Sequence, residues 1–275
     1  MSSTQQQRAE AFRDLHERKQ IFLMPNPWDK GSAVLLEKLG FEALASTSAG
    51  FAFSQGMPDG TPSFKQVLNH LRELCACTSL PVSADLEAMF ADSPEDVYRH
   101  LQQAAACGIV GASIQDSGSE PGAPLLPLSL AVERVHAAVE AKRTLGHPFV
   151  LTARAECFTL PDASMDDTLM RLQAYEKAGA DVLFAPWIKT EEQVRAVVAA
   201  VSKPVSVMLG FAGSTLDVAT LKTLGVRRVS TGGSFARTAY SAMMAAASEF
   251  RGQGTFHRTQ NSLTGKQLNE LFSRS

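Results

Sequence analysis

The residues of this chain best able to do chemistry carry oxygen and come in short runs: Asp85-Leu86-Glu87, Gln115-Asp116, Arg154-Ala155-Glu156, Asn26 with Trp28-Asp29, and Ser46-Thr47-Ser48-Ala49-Gly50, with Asp59 on a glycine-rich stretch. Carboxylates brought together repel, so one of them must take a proton or the group must hold a cation. Oxygen ligands without a His pair suit a hard ion, Mg²⁺ or Mn²⁺. The competing use of Asp85 and Glu87 is ion pairing with lysine or arginine. Arg154 follows the apolar run Phe149-Val150-Leu151-Thr152, so its stem is expected to be buried, and its fork matches a carboxylate or phosphate oxygen pair. A salt bridge to Glu156 or Asp116 is the alternative there. The amides of the small-residue run could donate to an anionic oxygen.

These residues need a scaffold that gathers them, and the apolar pattern supplies one. Eight short runs read as buried parallel strands: Ile21–Met24, Ala43–Ser46, Val82–Ala84, Gly111–Ile114, Phe149–Thr152, Val182–Phe184, Val205–Met208 and Arg228–Ser230. Amphipathic segments lie between them. Ser93-Pro94-Glu95 starts one helix and Cys107-Gly108 closes it; Leu126–Leu145 is a long one, and Thr190-Glu191-Glu192-Gln193 is a capping box before Val194–Val201. Strand and helix alternating eight times predict an α/β chain folded as a (β/α)₈ TIM barrel, and a length of 275 residues accommodates it as one domain over 1–275. An open doubly wound sheet is the rival, but no glycine-rich dinucleotide fingerprint follows the first strand. Residues 1–20 add an N-terminal helix (Gln5–Lys19) expected to cap the barrel bottom, and 234–275 a C-terminal helical extension with Phe235–Phe250 and Thr264–Phe272. In such a barrel the site lies at the carboxyl ends of the strands, where every run named above falls.

Composition narrows the partners. Hydrophobic residues make up 45% and charged residues 20%, as in a folded chain with an ample core, and a formal charge of −2 offers no excess of cations to phosphates. Neither nucleic acid nor a membrane is expected. The polar start MSSTQQQRAE does not read as a signal peptide, and four cysteines without a CxxC pair do not make a disulfide framework, so a reduced cytoplasmic setting is expected. Cys75, Cys77 and Cys107 read as packing residues, and the six histidines show no ligand spacing. Gly232-Gly233 reads as a tight turn in preference to a phosphate nest. The segment Thr238–Ala247 is apolar on nearly every face, which predicts a homo-oligomer, the alternative being that the Gln5–Lys19 helix covers it.

Taken in order, Asn26-Pro27-Trp28-Asp29, Ser46-Thr47-Ser48-Ala49-Gly50, Gly56-Met57-Pro58-Asp59-Gly60, Pro81–Glu87, Gln115-Asp116-Ser117 and Thr152-Ala153-Arg154 resemble the isocitrate lyase/phosphoenolpyruvate mutase superfamily, over roughly Phe12 to Phe250. The resemblance implies a Mg²⁺-binding barrel (Mn²⁺ as substitute) that makes or breaks a C–C or P–C bond beside a pyruvyl unit. It places Ser46, Thr47, Ser48 and Trp28 at the substrate, Asp59 near the reacting bond, Arg154 on an anionic group, and Asp85 and Glu87 at the metal, with Gln115 where relatives carry glutamate. It also implies tetramers built as dimers of dimers. The Lys-Lys-Cys-Gly-His loop of the lyases is missing: Gln115 to Pro124 contains neither cysteine nor lysine. Isocitrate and methylisocitrate cleavage are therefore not expected. The leading expectation is a lyase acting on a small α-keto or 2-hydroxy acid through an enolate, with oxaloacetate-type decarboxylation foremost. A phosphonopyruvate-type P–C hydrolase or mutase, and a keto-acid-binding protein without catalysis, stand as alternatives.

Overall fold

The computed structural model describes residues 4–118 and 124–273. The eight strands are β1 (Phe22–Met24), β2 (Leu44–Ala45), β3 (Val82–Asp85), β4 (Gly111–Gln115), β5 (Val150–Arg154), β6 (Val182–Phe184), β7 (Val205–Met208) and β8 (Arg228–Ser230). All pair in parallel in the order β1-β8-β7-β6-β5-β4-β3-β2. The ring closes between β1 and β2 through one backbone bond, Ala45 N to Pro25 O at 3.0 Å. This is the expected barrel. Residues 119–123, part of the loop that lacks the lyase motif, lie outside the described residues.

The helices are α1 (Gln5–Glu17), α2 (Lys30–Lys38), α3 (Ser48–Ser54), α4 (Phe64–Cys77), α5 (Pro94–Ala105), α6 (Leu128–Arg143), α7 (Met165–Ala178), α8 (Glu191–Ala200), α9 (Val218–Thr223), α10 (Ser234–Gln253) and α11 (Gly265–Phe272). The Thr190 capping box forms as expected, with its hydroxyl accepting from Gln193 N. The long helix starts two residues later than its apolar pattern, because Leu126 N donates to Asp116 O and Pro127 takes the cap position. No helix among the described residues is long and apolar enough to cross a membrane.

Strand alternation divides the core in two. Outward residues such as Leu151, Leu183, Val207 and Val229 pack against the helices. Inward residues at the amino end, Phe22, Ala43 and Val182, pack against Ala9, Phe12 and Leu15 of α1, which plugs the barrel bottom. Gly111 makes room for the plug, since a Cβ there would sit 2.7 Å from Phe12 Cε1.

Candidate active site

At the carboxyl end the strand exits are tied together before any ligand is considered. Asn26 is buried and acts as a tether: its Nδ2 donates to Ser46 O at 2.9 Å, and its Oδ1 accepts from Thr231 N and Gly232 N, both at 2.9 Å. One side chain thus holds the exits of β1, β2 and β8 where the ladder is thinnest. Asp29 is the N-cap of α2, accepting from Ser32 N at 2.7 Å, so it builds the scaffold. Thr47 caps α3 in the same way, and Gly50 is required there: a Cβ would lie 2.6 Å from Thr47 Cγ2 and 2.8 Å from Trp28 Cβ. The run read as a loop of small residues is therefore a strand end, a cap and a first helical turn packed on Trp28. Trp28 itself is absent from the cavity lining.

The cavity has a volume of about 240 Å³ and is lined by Ser46, Thr47, Ser48, Asp59, Asp85 and Arg154 among others. This lies below the roughly 300–1,000 Å³ of pockets for drug-sized ligands, as suits a small acid. Asp85 is its centre. Its Oδ1 accepts from Arg154 Nη1 at 2.7 Å and Ser113 Oγ at 3.2 Å, its Oδ2 from Ser48 N at 3.4 Å, and its own amide donates to Ser46 Oγ at 2.9 Å. Arg154 also donates from Nε to Glu156 at 2.8 Å, and its guanidinium lies 5.6 Å from the Phe184 ring centroid. Burial opposes the charge on Arg154, but Glu156 and Asp85 outweigh it and hold its pKa above the ordinary value. Of the competing ion pairs, Asp85 with an arginine and Arg154 with Glu156 both form, in one cluster; Glu87 makes none among the described residues, and Asp116 pairs with Arg171 instead.

The remaining acids feel one another. Burial pushes the Asp59 carboxyl up, with Asp85 adding to the rise and the Ser48 hydroxyl opposing it. Burial, then Asp85 and Asp59, push Glu87 up to about 7. Glu87 lines a small recess beside the main cavity together with Asp85 and His70. It sits at φ +50°, followed by Met89 at +62° and Phe90 at +52°, a left-handed stretch that non-glycine residues adopt only when held. The holding groups are Arg134, which donates to the carbonyls of Ala88 and Ala91, His100 on Met89 O, and Gln115 N on Glu87 O. The Gln115 side chain donates to Ser117 Oγ at 2.7 Å and does not line the cavity.

Asp116 faces the other way. It accepts from Tyr175 Oη at 2.6 Å, Glu156 N at 2.9 Å and Arg171 Nη1 at 3.2 Å, all buried behind the sheet. Among the cavity residues without a role in the sequence reading are two arginines: Arg228, whose signal is a charged residue at an inward strand position, and Arg237, on the first turns of α10.

The donor set bears on a metal. Among the described residues no three His, Cys, Asp or Glu side chains stand close enough to hold an ion alone. Asp85 and Glu87 offer carboxylate oxygens whose mutual repulsion a cation would relieve. Mg²⁺, which keeps several waters and uses one or two protein carboxylates, fits such a site.

A family model described as phosphoenolpyruvate phosphomutase matches residues 12–251. The chain belongs to the isocitrate lyase/phosphoenolpyruvate mutase superfamily. Within this superfamily, a crystal structure from Burkholderia cenocepacia J2315, described as a lyase/mutase, superposes with TM-score 0.95 at 47% identity, covering 98% of this chain and 97% of that one. The oxaloacetate decarboxylase of Rhodopseudomonas palustris is 27% identical over 82% of this chain and 78% of its own. An oxaloacetate acetylhydrolase solved with its product oxalate superposes with TM-score 0.87 at 25% identity, over 96% of this chain and 93% of that one. These relatives support lyase-type C–C cleavage in general.

Proposed function

We propose that this protein is a Mg²⁺-dependent enzyme that cleaves the C–C bond next to the carbonyl of a small 2-oxo or 2-hydroxy acid, with decarboxylation of an oxaloacetate-type substrate as the reaction the site supports best. One observation carries the reading: a single small cavity is lined by Arg154, Asp85, Ser46, Thr47 and Ser48, suited to clamp an anion, offer oxygen ligands and donate to an oxyanion, and among the described residues no cysteine, lysine or histidine lines it to serve as a gating acid. Loss of CO₂ needs no such acid at the departing group. The electron pair of the broken bond stays on carbon as an enolate, which a proton from water converts to the keto product. A relative named for decarboxylating oxaloacetate supports the choice.

Asp85 and Glu87, with the Gln115 carbonyl as a further oxygen, would hold the metal. When bound, Mg²⁺ supplies positive charge against the developing enolate oxygen. Ser46 and the amides of Thr47 and Ser48 orient the carboxylate and keto oxygens, where fixed donors are worth several kcal/mol. Arg154, kept charged and held in place by Asp85 and Glu156, takes a carboxylate. Asp59 lines the same cavity and would stand beside the reacting bond. Hydrolysis of a phosphonopyruvate-type P–C bond would use the same cavity with Asp59 positioning water.

A turnover screen of keto acids with and without Mg²⁺ tests the reading. Pyruvate with CO₂ from oxaloacetate is the expected result. Phosphate release from phosphonopyruvate would replace it with the hydrolase, and ligand-induced stabilisation without turnover would leave a binding protein.

We also propose a homo-oligomer. Helix α10 leaves Met243, Met244 and Phe250 exposed and buries only Ala236 and Glu249. The N-terminal helix does not cover it, since α1 is committed to the barrel bottom. Such an apolar face suits a second subunit, in line with the dimer of dimers that the resemblance implies. Sedimentation equilibrium yielding a monomer mass would refute this.

A further inference from the structure

The lumen below the proposed catalytic groups is unusual for a barrel of this kind. Bulky branched residues normally fill it in layers. Here the inward positions beneath Asp85 and Arg154 are Ser83, Ser113, Thr152, Ser206 and Ser230, and among these hydroxyls lies Arg228. Ser83, Ser113, Ser230 and Arg228 all line the cavity. Thr152, on the same face of β5 as Arg154, has a buried Oγ1 with no hydrogen-bond partner.

Arg228 is 4% exposed and has no carboxylate partner among the described residues. Its Nε donates to Ser206 Oγ at 3.0 Å, and its Nη1 lies 3.4 Å from His16 Nε2. His16 Nδ1 sits 2.8 Å from Phe12 O, which can only accept, so the ring carries its proton on Nδ1 and turns the Nε2 lone pair to the guanidinium. Burial and Arg228 itself hold that imidazole neutral, its pKa lowered to about 3. Burial pulls Arg228 down to about 9, which leaves it charged at neutral pH. Of the other arginines near the site, Arg154 and Arg171 hold carboxylates, and Arg134 spends its guanidinium on the Ala88 and Ala91 carbonyls outside the cavity. Arg228 is held only by neutral acceptors, an arrangement that keeps a buried positive charge in place without cancelling it.

We propose that Arg228 forms an anion subsite at the floor of the cavity, taking one carboxylate-sized monoanion. The anion is either the far carboxylate of a dicarboxylic acid or an inorganic anion drawn into the lumen. A guanidinium without a counterion in a hydroxyl-lined chamber supplies charge and donors for one such group, and the unpartnered Thr152 hydroxyl marks the chamber as short of partners. The inference does not depend on which bond the enzyme cleaves.

Thermal unfolding of the full-length protein at constant ionic strength, titrated with sodium bromide, succinate or oxalate plus Mg²⁺, tests it. Wild type is expected to gain stability from bromide or succinate along a saturating curve. Arg228→Met, which keeps the length of the side chain and removes its charge, is expected to raise the half-saturation of that ligand at least about tenfold, with oxalate–Mg²⁺ little changed. Loss confined to succinate assigns the far carboxylate, and loss of bromide assigns an inorganic anion. Unchanged response to both, or an equal loss of oxalate–Mg²⁺, overturns the subsite. Should Arg228→Met fail to fold, wild-type crystals soaked in bromide or in succinate decide instead: density for either anion against the guanidinium supports the subsite, and density for neither overturns it.

Discussion

Asp85 and Asp116 end adjacent strands, and both engage a buried arginine, yet they serve opposite sides of the sheet. Asp85 points inward, where Arg154, Ser113 and Ser48 N meet it beside an open cavity. Asp116 is one residue past the inward position of its strand, so its carboxylate enters the layer between sheet and α7, sealed by Tyr175 and Arg171. The residue type is the same and the parity differs. A side-chain period of two thus decides which acid can meet a ligand and which acts as an internal strut. Removing the strut should destabilise the fold while removing the site acid should silence the enzyme.

That contrast yields the largest effects. Asp85→Ala should cut Mg²⁺-dependent turnover at least about a hundredfold while leaving chemical denaturation near wild type, because Arg154 keeps Glu156. Asp116→Ala should cost about 2–4 kcal/mol in the same denaturation experiment, since it leaves the buried Tyr175 hydroxyl and Glu156 amide without their acceptor and Arg171 with only Asp167. Equal stability losses for the two variants would break the comparison. The partner arginine provides the next probe. Arg154→Lys should lower kcat/KM at least about tenfold in steady-state kinetics, because an ammonium cannot make two parallel bonds to one carboxylate.

Arg228, a buried arginine that pairs with no acid among the described residues, adds a pH signature through His16. The unfolded chain binds a proton on this histidine below about 6.5, whereas the folded chain resists protonation down to about 3. The unfolded state therefore holds more protons in that window, and stability should fall as pH drops through it, by up to about 1.4 kcal/mol per pH unit from this group. Glu87, pushed up to about 7, contributes with the opposite sign in this window, so the test is a difference: between pH 6 and 5 stability should fall more steeply in the wild type than in His16→Gln, by about that slope. The smallest effect concerns parity again. Gln115 and Asp116 are neighbours on opposite faces, so Gln115→Glu adds an acid on the cavity side of the sheet. Apparent Mg²⁺ affinity measured by activity should tighten, and an unchanged value would place residue 115 outside the ion's shell.

Local chemistry carries through the chain with little loss. Each of the eight strand runs forms a strand within two residues of its expected bounds, because each apolar run is short and punctuated by Pro, Gly or Asp. The Thr190 box, the Ser93-Pro94 start and the N-terminal helix form for equally local reasons. Helix α3 was hidden in a run of small residues, although Thr47 three positions before Gly50 is a cap signal. Asp29, grouped with the strand-end candidates, is spent on such a cap.

What the amino-acid sequence determined by itself is therefore the set of elements, their alternation, and the neighbourhood in which polar strand ends would gather. These depend on periodicity and on interactions within a few residues. Only the tertiary structure decided that Arg154 bridges Asp85 and Glu156, that Asp116 is a strut, that Asn26 ties three strand exits, and that Arg228 stands above His16 with no counterion among the described residues. Each of these joins residues from separate strands or helices. A side chain's partner across the barrel is set by register and by which face it occupies, and neither can be read from its own segment.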